Sequence, residues 1–248
     1  MKIPVIRGVI DRRILVNYRV DPQVLARLLP APFRPKIVRG MGLVGICLIR
    51  LKQIRPAFLP AWCGISSENA AHRMAAEWDD HGGAHSGVYI RRRDTSSRLN
   101  SLAGGRLFPG VAHHAKFTVR ETADEFAVAV RSDDGDTSLS VRCHRAQQLT
   151  STSLFQSMEE ASSFFETGSL GYSDCADVRR FQGMELRCRN WLLQPLDVDE
   201  VQSSFFDNEQ NFPKGSIEFD CAVLMQNIAH EWHCHPDLCG TQRMTTFD

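Results

Sequence analysis

Apolar residues recur along this chain with two different periods, and the change of period marks out its elements. After Asp21-Pro22, the residues Val24, Leu25, Leu28 and Leu29 share one face at helical spacing. Asp21 suits the N-cap, Pro22 the first helical position, and Pro30 and Pro32 stop the helix. A second helix is predicted near Ser157, where Ser157-Met-Glu-Glu160 is a capping-box pattern. Met158, Ala161, Phe164 and Phe165 follow at helical spacing, and Gly168 suits the C-terminal cap. Most of the remainder reads as strands: 42–52, apolar on both faces, then 62–78, 86–93, 111–120, 125–131, 137–145, 184–194, 198–206 and 216–227. Asp134-Gly135 is a turn signal between two of them. Many strands with few helices predict a mainly antiparallel barrel or sandwich. The connections 55–60, 79–86, 132–136 and 169–177 are too short for interdomain tethers, so residues 1–248 are expected to form a single domain.

Strand alternation assigns faces. In 111–120 one face carries Val111, His113, Ala115, Phe117 and Val119, and the other Ala112, His114, Lys116, Thr118 and Arg120. His113 therefore lies on the apolar face. In 62–78, Glu68 and His72 share a face with Trp62, Ala70, Met74, Ala76 and Trp78. A carboxylate buried there needs a partner or a raised pKa.

Composition narrows the function classes. The chain has 248 residues, 43% hydrophobic and 23% charged, enough to bury a core without staples. Lys plus Arg and Asp plus Glu each total 29, and this balance argues against a nucleic-acid partner. Only five of the bases are lysines: Lys2, Lys36, Lys52, Lys116 and Lys214. Eight cysteines are too sparse for a stapled secreted domain, and Cys47 and Cys221 sit in apolar stretches where a reduced thiol behaves as a small hydrophobe. The N-terminus has no signal-peptide layout, and the longest apolar run, 43–49, falls far below the ~18 residues of a membrane helix. The reading is a reduced, cytoplasmic protein with no membrane partner.

No Gly-x-Gly-x-x-Gly, Walker or Gly-x-Ser-x-Gly pattern occurs, so no nucleotide cofactor and no hydrolase elbow is expected. The stretch His230-Glu-Trp-His-Cys-His-Pro-Asp-Leu-Cys239 is rich in metal-ligand types, but its spacing fits neither the helical zinc motif nor a Cys-x-x-Cys site. Asp79-Asp-His-Gly-Gly-Ala-His85 reads as a polar hairpin turn rather than a metal loop. No metal and no other cofactor is expected. Arg91, Arg92 and Arg93 read as a solvated strand end.

Ile14-Leu-Val-Asn-Tyr-Arg-Val20 followed by Asp21-Pro-Gln-Val-Leu-Ala-Arg-Leu-Leu29 resembles the start of acetoacetate decarboxylase, as does Gly87-Val-Tyr-Ile-Arg-Arg-Arg-Asp94 followed by Gly105-Arg106-Leu-Phe. Ser163-Phe-Phe-Glu-Thr-Gly-Ser-Leu-Gly-Tyr172, Ser204-Phe-Phe-Asp207 and Gly215-Ser-Ile-Glu-Phe-Asp-Cys-Ala-Val-Leu-Met225 resemble an uncharacterised bacterial branch of that superfamily, a domain of unknown function. The resemblance implies a mainly β (α+β) fold, an antiparallel cone-like β-barrel with a few flanking helices and an interior cavity. In the decarboxylase a cavity lysine forms a Schiff base with a β-keto acid and a glutamate assists, since an iminium is an electron sink. The resemblance puts Glu68 at the glutamate position and His113 and His114 at the lysine pair. Imidazole can act as a base or hold a ligand, but it makes no stable imine with a ketone. Lys116 is the lysine nearest that position.

Two functional expectations follow. In one, a lyase or isomerase uses Glu68, His113 and His114 as acid–base groups, while Arg106, His72 and Lys116 hold a small carboxylate or carbonyl substrate. In the other, the same barrel binds a small organic ligand without catalysis, and Glu68 is a structural carboxylate satisfied by Arg106 or backbone donors. The sequence leaves self-association into a homo-oligomer open.

Overall fold

The computed structural model describes residues 4–80, 82–102, 110–175 and 180–239. In chain order β1 (Ile6–Val20) leads to helix α1 (Pro22–Leu28), the short β2 (Arg34–Pro35) and β3 (Ile37–Val38), and the long β4 (Met41–Pro56). A 3₁₀ turn at Ala61–Cys63 precedes β5 (Ile65–Asp80), which folds back as β6 (Gly83–Thr95). After α2 (Arg98–Leu102), a meander of β7 (Ala112–Glu121), β8 (Glu125–Ser132) and β9 (Ser138–Arg145) follows. The last part is α3 (Met158–Thr167), β10 (Leu170–Asp174), β11 (Arg180–Cys188), β12 (Gln194–Ser203) and β13 (Ile217–Cys239). The expected mainly β architecture with a few flanking helices is what forms, and its pairings are antiparallel except β6 with β7 and β6 with β10.

Two strands fork, and the forks close the sheet on itself. One edge of β13 pairs with β1; along the other, residues 222–224 face β12 and residues 230–239 face β11. One edge of β6 pairs with β5; along the other, residues 88–90 face β10 and residues 93–95 face β7. The run β13-β1-β4-β5-β6 is thus a wall common to two closed rings, one completed by β7, β8, β9 and β12, the other by β10 and β11.

A wall buried on both sides must be apolar on both sides. Ile14, Val16, Ile46, Leu48, Ala70 and Met74 enter one core, and their neighbours Leu15, Cys47, Ile49, Ala75 and Val223 enter the other. This is why 42–52 reads apolar at every position. Helix α3 covers the second core with Ala161 and Phe165. Its start follows the expected cap, since Ser157 Oγ accepts from the Glu160 amide at 3.2 Å, and Gly168 ends it. Asp21 caps α1 in the same way, accepting from the Gln23 amide.

Three boundaries differ from the sequence reading. Residues 230–239, beyond the last strand read from the sequence, are the end of β13, because β11 pairs with them. Among the described residues no His, Cys, Asp and Glu group of three is placed to hold a metal. The connection 169–177 contains β10, whose small residues Gly171 and Ser173 lie against β6. Trp62 is not on the buried face of β5: it sits in the 3₁₀ turn and is 84% exposed. No helix among the described residues is long and apolar enough to cross a membrane.

Candidate functional site

The second core holds a cavity of about 120 Å³ under α3. Its floor is a patch of the wall four strands wide, and register fixes which side chains meet there. One row across the strands is Leu15, Cys47, Ala71 and Arg93. The rows on either side are Arg13, Ile49, Asn69 and Thr95, and Asn17, Gly45, Arg73 and Ile90. Cys47 and Ala71 are small, so the centre of the patch is low. Arg13, Arg73 and Arg93 stand around it and line the cavity with Trp232. A bulge in β6 at Arg91 shifts the strand phase so that Ile90 and Arg93 both face the cavity. Gly45 is required here, because a Cβ would collide with the Val16 carbonyl and crowd Asn17.

The three guanidiniums share one property. None of them has an ion pair among the described residues. Arg73 is 8% exposed; it donates to Asn17 Oδ1 and lies 5.1 Å from the Phe165 ring, while its Nε has no partner. Arg93 Nε donates to Ser173 Oγ at 2.9 Å. Burial pushes both guanidiniums down to about 10 from their ordinary 12.5. Arg13 lies 5.7 Å from the Trp191 ring, and its buried Nε and Nη1 are unpartnered. The buried Nε1 groups of Trp191 and Trp232 and both ring nitrogens of His230 are unpartnered as well. Burial pushes the His230 imidazole down to about 4, with Arg13 adding to the effect, so it is neutral at pH 7. Buried donors without acceptors are costly, and buried cations without anions more so. A small anion in the cavity would pair with the three arginines that line it.

The acid in the cavity wall is committed elsewhere. Asp94 is buried and takes three contacts of 3.0–3.2 Å from Arg92. Burial raises its carboxyl above the ordinary value, against the opposing pull of Arg92.

The sequence-predicted residues are distributed over several places. Glu68 accepts from Arg12 Nη2 at 2.6 Å and from Arg50 Nε at 2.5 Å. Both arginines also hold Glu121, and Arg50 and Lys52 hold Asp11, so Glu68 belongs to a network of charges away from the cavity lining. His72 is buried between the Phe205 and Phe206 rings, with Nε2 3.3 Å from Ser203 Oγ, and burial pushes it down to about 4. His113 and His72 line one open cleft of about 430 Å³, where His113 Nδ1 lies 2.9 Å from Asp134. His114 is paired with Asp133 at 2.7 Å. Lys116 is exposed in a different groove, beside Arg131 and Gln202. Arg106 lies outside the described residues. The structure thus brings His72 and His113 together, but neither with Glu68, His114 or Lys116. It also corrects the reading of 91–93 as a solvated strand end: Arg91 is exposed, Arg92 is bound to Asp94 and Asp134, and Arg93 enters the cavity.

A family model described as an uncharacterized conserved protein matches residues 10–220. The chain belongs to the DUF2071 family. No curated protein matches this DUF2071 chain in sequence. Solved structures do match in fold. An acetoacetate decarboxylase-like enzyme from Sphingomonas wittichii RW1 superposes with a TM-score of 0.60 at 13% identity, covering 97% of this chain and 95% of that one. The acetoacetate decarboxylase of Legionella pneumophila gives 0.59 at 11% identity, covering 94% and 87%. The enduracididine biosynthesis enzyme MppR, complexed with pyruvate, gives 0.55 at 10% identity, covering 96% and 91%. At these identities the likeness of this DUF2071 member to those enzymes is one of fold.

Proposed function

We propose that this protein binds a small carboxylate, of the 2-oxo acid size class, in the cavity beneath α3. The observation that carries the reading is the convergence of Arg13, Arg73 and Arg93, without a carboxylate partner among the described residues, on one enclosed space. A guanidinium fork matches a carboxylate in shape and charge, and charge-assisted hydrogen bonds are strong where water is excluded. Size sets the ligand class. An engineered cavity of about 150 Å³ takes benzene, so a cavity of about 120 Å³ takes roughly six heavy atoms. Pyruvate has that size, and the MppR complex shows pyruvate held by a protein of this fold. Trp232 also lines the cavity, and its Nε1 is unpartnered. On this reading Glu68 supports the wall by holding Arg12 and Arg50, while His113 and His114 hold the turn after β8 through Asp134 and Asp133.

Thermal denaturation with acetate, pyruvate, acetoacetate and 2-oxobutyrate, each beside its neutral amide, tests the reading. The carboxylates should raise Tm and the amides should not, since a ligand at 100 times its Kd stabilises by about 2.7 kcal/mol. Arg93→Met should abolish the rise. No stabilisation by any carboxylate, or an equal rise with Arg93→Met, would refute the proposal.

A further inference from the structure

Cys47 occupies the centre of the cavity floor. It is 8% exposed and lines the cavity, and its neighbours in the row are Leu15 on one side and Ala71 on the other. Beyond Ala71 in the same row stands Arg93. Adjacent strands are about 4.8 Å apart, so the backbones at Cys47 and Arg93 are separated by about 10 Å with only a methyl group between them. A carboxylate held by the Arg93 guanidinium would share this cavity with the Cys47 thiol. Arg73, nine-tenths buried with an unpartnered Nε, borders the same space from the adjoining row.

From this placement we infer that Cys47 is a nucleophile that forms a covalent bond to electrophilic small carboxylates held by Arg13, Arg73 and Arg93, an inference that rests on the carboxylate reading above. With a 2-oxo acid the step is an addition. Sulfur bonds to the carbonyl carbon, the C=O π pair moves to the oxygen, and the thiol proton ends on that oxygen, giving a hemithioketal with nothing oxidised or reduced. The guanidiniums stabilise the developing oxyanion. None of the other seven cysteines is among the residues that line the cavity.

Alkylation of the native protein by iodoacetate and iodoacetamide, mapped by peptide mass, tests this. In that reaction an S–C bond forms, iodide leaves with its electron pair, and the thiol proton goes to buffer. Ordinary exposed cysteines such as Cys234 should favour the neutral amide. Cys47 should react at least tenfold faster with iodoacetate, with a rate that saturates and that pyruvate suppresses, and Arg93→Met should remove the preference. With [2-13C]pyruvate, NMR should show a protein-bound tetrahedral carbon, distinct from that of the free hydrate, in the wild type and none in Cys47→Ser. If calorimetry shows pyruvate binding while Cys47 has no preference for the anion and no protein-bound tetrahedral carbon forms, the nucleophile is refuted and the carboxylate reading stands. If pyruvate neither binds nor protects, both fall.

Discussion

Replacing Arg73 by Met separates the cost of a buried charge from the contacts that hold it. Burial pushes the Arg73 guanidinium down to about 10 from 12.5, which corresponds to about 3 kcal/mol against the charged form. Met keeps much of the side-chain volume and removes that cost. The substitution also removes the bond to Asn17 and the contact with the Phe165 ring, worth about 1 kcal/mol each. The net expectation is a ligand-free protein more stable by about 1 kcal/mol, a rise in Tm of about 2–4 °C for a chain of this size. The same variant should lose carboxylate binding by at least tenfold. Urea denaturation with and without pyruvate reads both effects. Destabilisation by about 3 kcal/mol in the absence of ligand would show that the protein itself supplies a counter-charge to Arg73, and the reasoning would fail.

Three further outcomes follow from the structure. Glu68→Gln leaves Arg12, 1% exposed, with Glu121 alone; it should destabilise by about 2–4 kcal/mol in urea titrations and leave pyruvate affinity within about twofold, whereas a tenfold loss of affinity would put Glu68 in the site. Burial pushes His72 and His230 down to about 4, so the unfolded chain takes up protons at both that the folded chain refuses below pH 6.5. Stability should therefore fall as pH drops through the window from about 6.5 to 4, by about 2 kcal/mol for each at pH 5; a urea midpoint unchanged between pH 7 and pH 5 would contradict this. No described lysine lines the cavity, so borohydride reduction with acetoacetate or pyruvate should give no mass adduct, and an adduct at Lys36 or Lys116 would restore imine chemistry.

The parts of the fold set by local chemistry were legible in the sequence. Asp21 and Ser157 each bond the first turn of their helix, and Asp134-Gly135 turns β8 into β9. The alternation in 111–120 gave the right inward face, with Ala115, Phe117 and Val119 against the first core. What alternation cannot give is which of two buried faces holds a cavity. In β5 the face with His72, Met74 and Trp78 looked like the inside, and it is; the opposite face, with Ala71, Arg73 and Ala75, is inside as well. The signal was the strand at 42–52, apolar at every position, since such a strand has a compartment on each side. The arginines were hidden among 24 of their kind. Arg93 looked solvated because the bulge that turns it inward at Arg91 is set by pairing with β5, not by its own neighbours in sequence. The end of β13 was not read as strand because its partner, β11, lies about 50 residues earlier.

Calorimetric titration of pyruvate, acetoacetate and acetate into the protein, each beside its neutral amide, tests the central claim most directly. The account predicts one site per chain for at least one carboxylate, with the amide at least tenfold weaker and the heat lost in Arg73→Met. Heat with none of the carboxylates, or equal binding of acid and amide, would contradict it.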